Sequence, residues 1–203
     1  MEVIPLGEEC YIAQSIDGKF KNCDFRINAY PFDYVGHVFI DSIIKKISTD
    51  LSIKKEDIEI MKSNDIYFLS DKIVDFRYWH HFTQNNNNFI QIDEFLKIIN
   101  NRYIRFKNIL YSEKKILFIT GQHFDYIYKK INRFDKLMEL YNILKNINKN
   151  IILLAFNYSD KEFKKDDLYH YIVDVSYNID FKTSKDLFIN KFNEYIKKIL
   201  LSF

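Results

Sequence analysis

The sequence predicts one α/β domain, a three-layer sandwich on a mainly parallel central sheet, and three observations lead there. Short apolar, β-branched runs alternate with stretches of helical periodicity across the chain. A strand at 115 to 120, a helix at 133 to 147 and a strand at 150 to 156 form a βαβ unit, whose crossover is expected to be right-handed. No Pro/Gly/Ser-rich linker or internal repeat divides the 203 residues, so residues 1–203 read as a single domain.

The elements follow in order. Residues 2 to 6 make the first strand, and residues 10 to 17 open the first helix, which places Cys10 at the turn between them. Residues 35 to 48 carry Val35, Val38, Phe39, Ile43, Ile44 and Ile47 at helical spacing. Residues 50 to 90 mix strand-like and loop-like signals, with a strand expected at 66 to 69. Residues 92 to 110 present Phe95, Leu96, Ile99, Tyr103, Phe106 and Leu110 on one helical face. After the βαβ unit come a strand at 171 to 176 and a helix at 184 to 201. Gly121, Asn148 and Asn150 stand where turn-tolerant residues belong.

Composition excludes several function classes. Thirty basic and twenty-eight acidic side chains leave a formal charge of +2, too balanced to point to nucleic acid. The segment from Lys161 to Asp167 reads as a solvated face. No apolar run approaches the roughly 20 residues of a membrane span. Cys10 and Cys23 are too few for a disulfide framework and no charged-then-apolar leader opens the chain, so a reducing cytoplasm is expected. Dinucleotide, P-loop and Cys-x-x-Cys signatures are missing, so neither a cofactor nor a metal is expected.

Cys10 is the most informative residue. A thiol between a strand and a helix can face free backbone N–H groups and the positive end of the helix dipole, which favour the thiolate. Its other reading is a small buried apolar residue. A cysteine nucleophile needs a histidine base brought near by the fold. His80 and His81 follow Tyr78 and Trp79 in an aromatic context, while His123, next to Gln122, stands just past a strand. His37 lies on an amphipathic helix and reads as structural. Between Arg26 and Tyr34, an arginine, Asn28 and Asp33 surround Pro31. That segment is either a packed turn with Asp33 capping the next helix, or a group beside Cys10 that orients a histidine or holds an anionic substrate.

These residues also carry a resemblance. The order Leu6-Gly7-Glu8-Glu9-Cys10, Arg26, Tyr30-Pro31-Phe32-Asp33-Tyr34, His80 with Phe82, then Arg102 and Arg105-Phe106 before Leu117-Phe118 resembles the bacterial and viral family DUF1796. That family is of unknown function and is described as papain-like cysteine peptidases. The match covers roughly the first 120 residues. It departs from the family pattern at Pro5, at Tyr34 and at His81, where the family has serine, tryptophan and aspartate. The resemblance implies Cys10 as nucleophile and His80 as base, with Asp33 as third member. A papain-like fold, however, places its cysteine on a central helix against an antiparallel sheet, which differs from the strand-cysteine-helix order here.

The expected function is therefore a cysteine-dependent hydrolase or acyl-transfer enzyme acting on a peptide, ester or glycan-type substrate. Gly7, Glu9, Arg26, Asn28, His81, Gln122 and His123 are the substrate-binding candidates. One alternative is a non-catalytic module of the same fold that binds a glycan, nucleotide or protein. The other is an SGNH-like esterase with cysteine in the serine position, for which Asp167-Leu168-Tyr169-His170 has the required Asp-x-x-His spacing.

Overall fold

The computed structural model describes residues 1–7, 29–33, 39–63, 66–78, 92–122, 129, 131–173, 190 and 194–199. Among them the elements are β1 (Glu2–Pro5), α1 (Ile40–Ser48), a 3-10 turn (Lys55–Asp57), β2 (Ile58–Ser63), β3 (Ile66–Asp71) and β4 (Phe76–Tyr78). Then come α2 (Ile92–Leu110), β5 (Ile116–Gly121), α3 (Phe134–Ile147), β6 (Ile151–Phe156), β7 (Phe163–Lys165) and β8 (Leu168–Tyr171). Residues 194–199 are helical.

The architecture is α/β with a mixed, mostly parallel five-stranded sheet in the order β1-β5-β6-β8-β7. β1, β5, β6 and β8 run parallel, and β7 closes one edge antiparallel to β8. Alternate residues of each strand point to opposite faces, and both faces are buried. Ile4, Ile116, Phe118, Ile151, Leu153 and Ala155 join the larger core with α1, α2 and α3. Val3, Leu117, Ile119, Ile152, Leu154 and Phe156 face the other way, against Val173, Ile196 and Ile199. Near-continuous apolar strands are what burial on both faces demands.

Helix α2 matches its expected span, and β5 and β6 lie within a residue of theirs. Helix α1 differs: it begins at Ile40 rather than 35, with Phe39 as an N-cap that offers no side-chain hydrogen bond. Among the described residues the last strand is Leu168–Tyr171, which begins three residues before the strand expected at 171 to 176 because Leu153 pairs with Leu168 in register; residues 174 to 176 lie outside the described residues. Phe163–Lys165, read as a solvated face, forms the edge strand β7, which leaves Lys164 and Lys165 exposed.

Residues 58 to 78 hold a second sheet, the antiparallel order β2-β3-β4, of which the sequence predicts only the strand at 66 to 69, now β3. It joins the larger core through Phe76, which meets Phe32 edge-on at 5.7 Å. Phe32 also packs against Tyr103 and Phe106, and Phe106 meets Phe118 of β5 at 6.1 Å. A continuous aromatic path thus links the 30–33 turn, the small sheet and the main sheet.

Candidate functional site at the carboxyl edge of the sheet

In a parallel sheet, ligands gather beyond the carboxyl ends of the strands. Register places Pro5 opposite Ile119, Gly121 opposite Phe156, and Phe156 opposite Tyr171. Gly7, Gln122 and Asn157 therefore follow one another across that edge. Gly7 has φ 61°, a conformation glycine adopts without a Cβ clash, and it turns the chain away from β1 three residues before Cys10. Asn157 has φ 63°, which asparagine tolerates better than most residues.

Hydrogen bonds carry the ladder past the strand ends. Leu6 N donates to Ile119 O at 2.8 Å, Gln122 N to Phe156 O at 3.0 Å and Asn157 N to Tyr171 O at 3.0 Å. Gln122 is buried, and its Nε2 donates to Ile131 O at 2.7 Å. Asn157 Oδ1 accepts from Val173 N at 2.7 Å. Between them the Thr120 and Tyr158 hydroxyls lie 2.7 Å apart, both buried. A concavity of about 580 Å³ adjoins this edge, lined by Asn132, Phe134, Asp135, Ser159, Lys161, Glu162 and Phe163. The Phe134 and Phe163 rings meet edge-on there at 5.3 Å.

Asp33 belongs to a tight turn. Its N–H bonds Tyr30 O at 3.2 Å across Pro31, and its buried Oδ2 accepts from Tyr30 N at 2.6 Å. That bond braces the turn's own backbone, as a packed turn requires; residues 34–38, where the helix that Asp33 is expected to cap would begin, lie outside the described residues. Tyr30 Oη donates to Glu2 Oε1 at 2.6 Å, at the opposite end of β1 from Gly7. Gly7 and Gln122 are thus brought together, while the tether of the Asp33 turn lies toward the other end of the strand.

His170 is fully buried in β8 and stacks on Phe163 at 5.0 Å. Its Nε2 accepts from Tyr158 N, and its Nδ1 lies 2.9 Å from Lys161 O. A carbonyl takes only a donor and an N–H needs an acceptor, so the ring is neutral with its proton on Nδ1. Burial lowers its pKa, against the smaller opposing effects of Lys161 O and Glu162. Asp167 instead pairs with Lys145. The Asp-x-x-His tetrad is therefore not a catalytic pair: its histidine ties β8 to the loop after β6.

Tyr78, at the end of β4, and Tyr103 are fully buried, and burial first of all raises both phenols well above their usual range. Neither titrates near neutral pH. Lys46 and Asp71, also buried, form an ion pair at 3.2 Å under the small sheet.

Glu9, Cys10, Cys23, Arg26, Asn28, His37, His80, His81 and His123, with the helix expected at 10 to 17, lie outside the described residues. Among the described residues no group of three or more His, Cys, Asp or Glu side chains is placed to hold a metal, and no helix is long and apolar enough to cross a membrane. Thr120 and Tyr158 carried no signal in the sequence beyond being polar groups at the ends of apolar runs. Comparisons with protein-family models, curated proteins and solved structures returned no match.

Proposed function

We propose that this chain is a cysteine-dependent hydrolase, peptidase-like or acyl-transferring, in which Cys10 attacks a carbonyl and His80 accepts and returns the proton. The observation that carries the reading is Gly7, left-handed at the carboxyl edge of the parallel sheet. Covalent reach keeps the Cys10 Cα within about 11 Å of the Gly7 Cα, close to the edge where Gln122 and Asn157 lie. Backbone N–H groups near Gly7 and Cys10 would stabilise the oxyanion.

Two further features support the reading. The Phe32 to Phe76 contact packs the Asp33 turn against β4, whose last residue, Tyr78, is two residues from His80. The resemblance to DUF1796 joins Gly7, Cys10, Arg26, Asp33 and His80 in one ordered pattern. Burial of both sheet faces supports the three-layer arrangement, with Cys10 at the turn from strand to helix, and a reducing cytoplasm suits a free thiol.

An electrophilic thiol probe tests the proposal. Cys10 should be labelled before Cys23, with labelling retained at mildly acidic pH, as a depressed thiol pKa requires. Equal, slow labelling of both thiols would overturn it. The binding-module alternative draws on the 580 Å³ concavity, and in that case the thiols are inert while the edge still binds.

A further inference from the structure

At the carboxyl edge the buried Gln122 and the half-buried Asn157 each have one end of the side-chain amide engaged and, among the described residues, the other end shielded from solvent without a partner. Gln122 uses Nε2 on Ile131 O, and its Oε1 has no hydrogen-bond partner among the described residues. Asn157 uses Oδ1 on Val173 N, and its Nδ2 likewise has none. The orientation of both amides is fixed by chemistry, since a carbonyl accepts only from the NH2 end and a backbone N–H needs the oxygen. Among the described residues the edge therefore holds one acceptor and one donor without a partner, on neighbouring strand ends about 5 Å apart.

A buried polar group without a partner costs roughly 1–3 kcal/mol, so each empty end calls for one. The complementary ligand must donate to Gln122 and accept from Asn157. A carboxylate or an ester carbonyl only accepts, and an ammonium only donates. One residue of an extended peptide does both, because its N–H and C=O point to the same side of the chain. The 580 Å³ concavity begins close by in the chain: Asn132 follows Ile131, the acceptor of Gln122 Nε2, and Ser159 stands two residues after Asn157. Its Phe134 and Phe163 walls suit a side chain of such a peptide.

We infer that Gln122 and Asn157 form a backbone-reading subsite for an extended peptide, with Gln122 Oε1 accepting from a ligand N–H and Asn157 Nδ2 donating to a ligand carbonyl. The inference rests on the hydrolase reading only in calling that peptide the substrate, and it narrows the substrate to a peptide rather than an ester.

The test is a titration of the full chain carrying Cys10→Ala, so that turnover cannot consume the probe. N-acetylalanine N-methylamide and O-acetyl-lactic acid N-methylamide, an ester in which oxygen replaces the alanine N–H, are compared by the shifts of the Gln122 and Asn157 side-chain amide signals. The amide should shift both signals saturably, and the ester, which lacks one N–H, should bind about tenfold more weakly, the order one hydrogen bond supplies. Asn157→Asp keeps the acceptor for Val173 N but inverts the empty end, and amide binding should be lost. If that variant does not fold, the comparison of the two probes decides alone. Equal binding of both probes, no shift with either, or a single retained water bridging the two side chains would overturn the inference. Inert thiols together with amide-selective binding would instead remove the hydrolase reading and leave a peptide-binding module.

Discussion

Tyr158 N–H donates to His170 Nε2 at 2.9 Å, which joins the loop after β6 to the middle of β8 through a neutral, buried imidazole. Burial holds the folded pKa below its ordinary value near 6.5. The unfolded chain therefore binds the proton more readily than the folded one. The stabilisation is complete above about pH 6.5 and is lost as pH falls from there through the folded pKa. Urea unfolding should show falling stability between pH 7.5 and 5 (roughly). His170→Phe should flatten that His170-dependent part and cost about 1–3 kcal/mol at neutral pH, because Tyr158 N–H loses its acceptor.

Lys46 should be intolerant of single substitution. Its Nζ meets Asp71 Oδ2 at 3.2 Å and Ser52 O at 2.5 Å, and it lies 5.1 Å from the Tyr103 ring centroid. Lys46→Ala leaves the buried Asp71 carboxylate without its cation, a loss of about 3–5 kcal/mol. Lys46→Met combined with Asp71→Asn should recover part of it, since asparagine can still accept from Ile73 N at the turn. Chemical denaturation of the single and double variants measures both.

Phe32→Ala should be among the most damaging core changes. Phe32 joins Phe76, Tyr103 and Phe106 at ring separations of 5.1–6.3 Å. Removing a buried phenylalanine costs about 3–5 kcal/mol. The expected result is a large fall in denaturant midpoint with an unchanged denaturant slope.

Asp33 allows its structural role to be separated from a catalytic one. Asp33→Ala removes the acceptor of Tyr30 N and should cost about 1–3 kcal/mol. Asp33→Asn keeps an oxygen for that bond and should stay close to wild type in melting temperature. If Asp33 also orients His80, Asp33→Asn slows probe labelling of Cys10 without that stability loss. An unchanged rate limits Asp33 to bracing the turn.

Much of the main sheet was legible from periodicity alone. Ile116–Gly121 and Ile151–Phe156 are buried throughout, and a strand buried on both faces must be apolar at every position, a signal that needs no context. Helix α2 was equally clear, because its buried residues Phe95, Ile99, Tyr103 and Phe106 recur at helical spacing. Of the small sheet only β3 was legible, as the strand at 66 to 69, since β2 presents Glu59 and Lys62 beside an exposed Ile60 and Met61, and that mixture takes its meaning only from pairing with β3. β8 begins three residues before the expected strand for the same reason, since its start at Leu168 is set by pairing with Leu153.

By itself, then, the sequence determined the α/β class, the core strands β1, β5 and β6 and helix α2, because these follow from local patterns of apolar residues. Only the tertiary structure decided which polar groups are engaged and which are empty. A hydrogen-bond partner is set by contacts between segments far apart in the chain, such as His170 with Tyr158 and Gln122 with Ile131, and no periodicity encodes them.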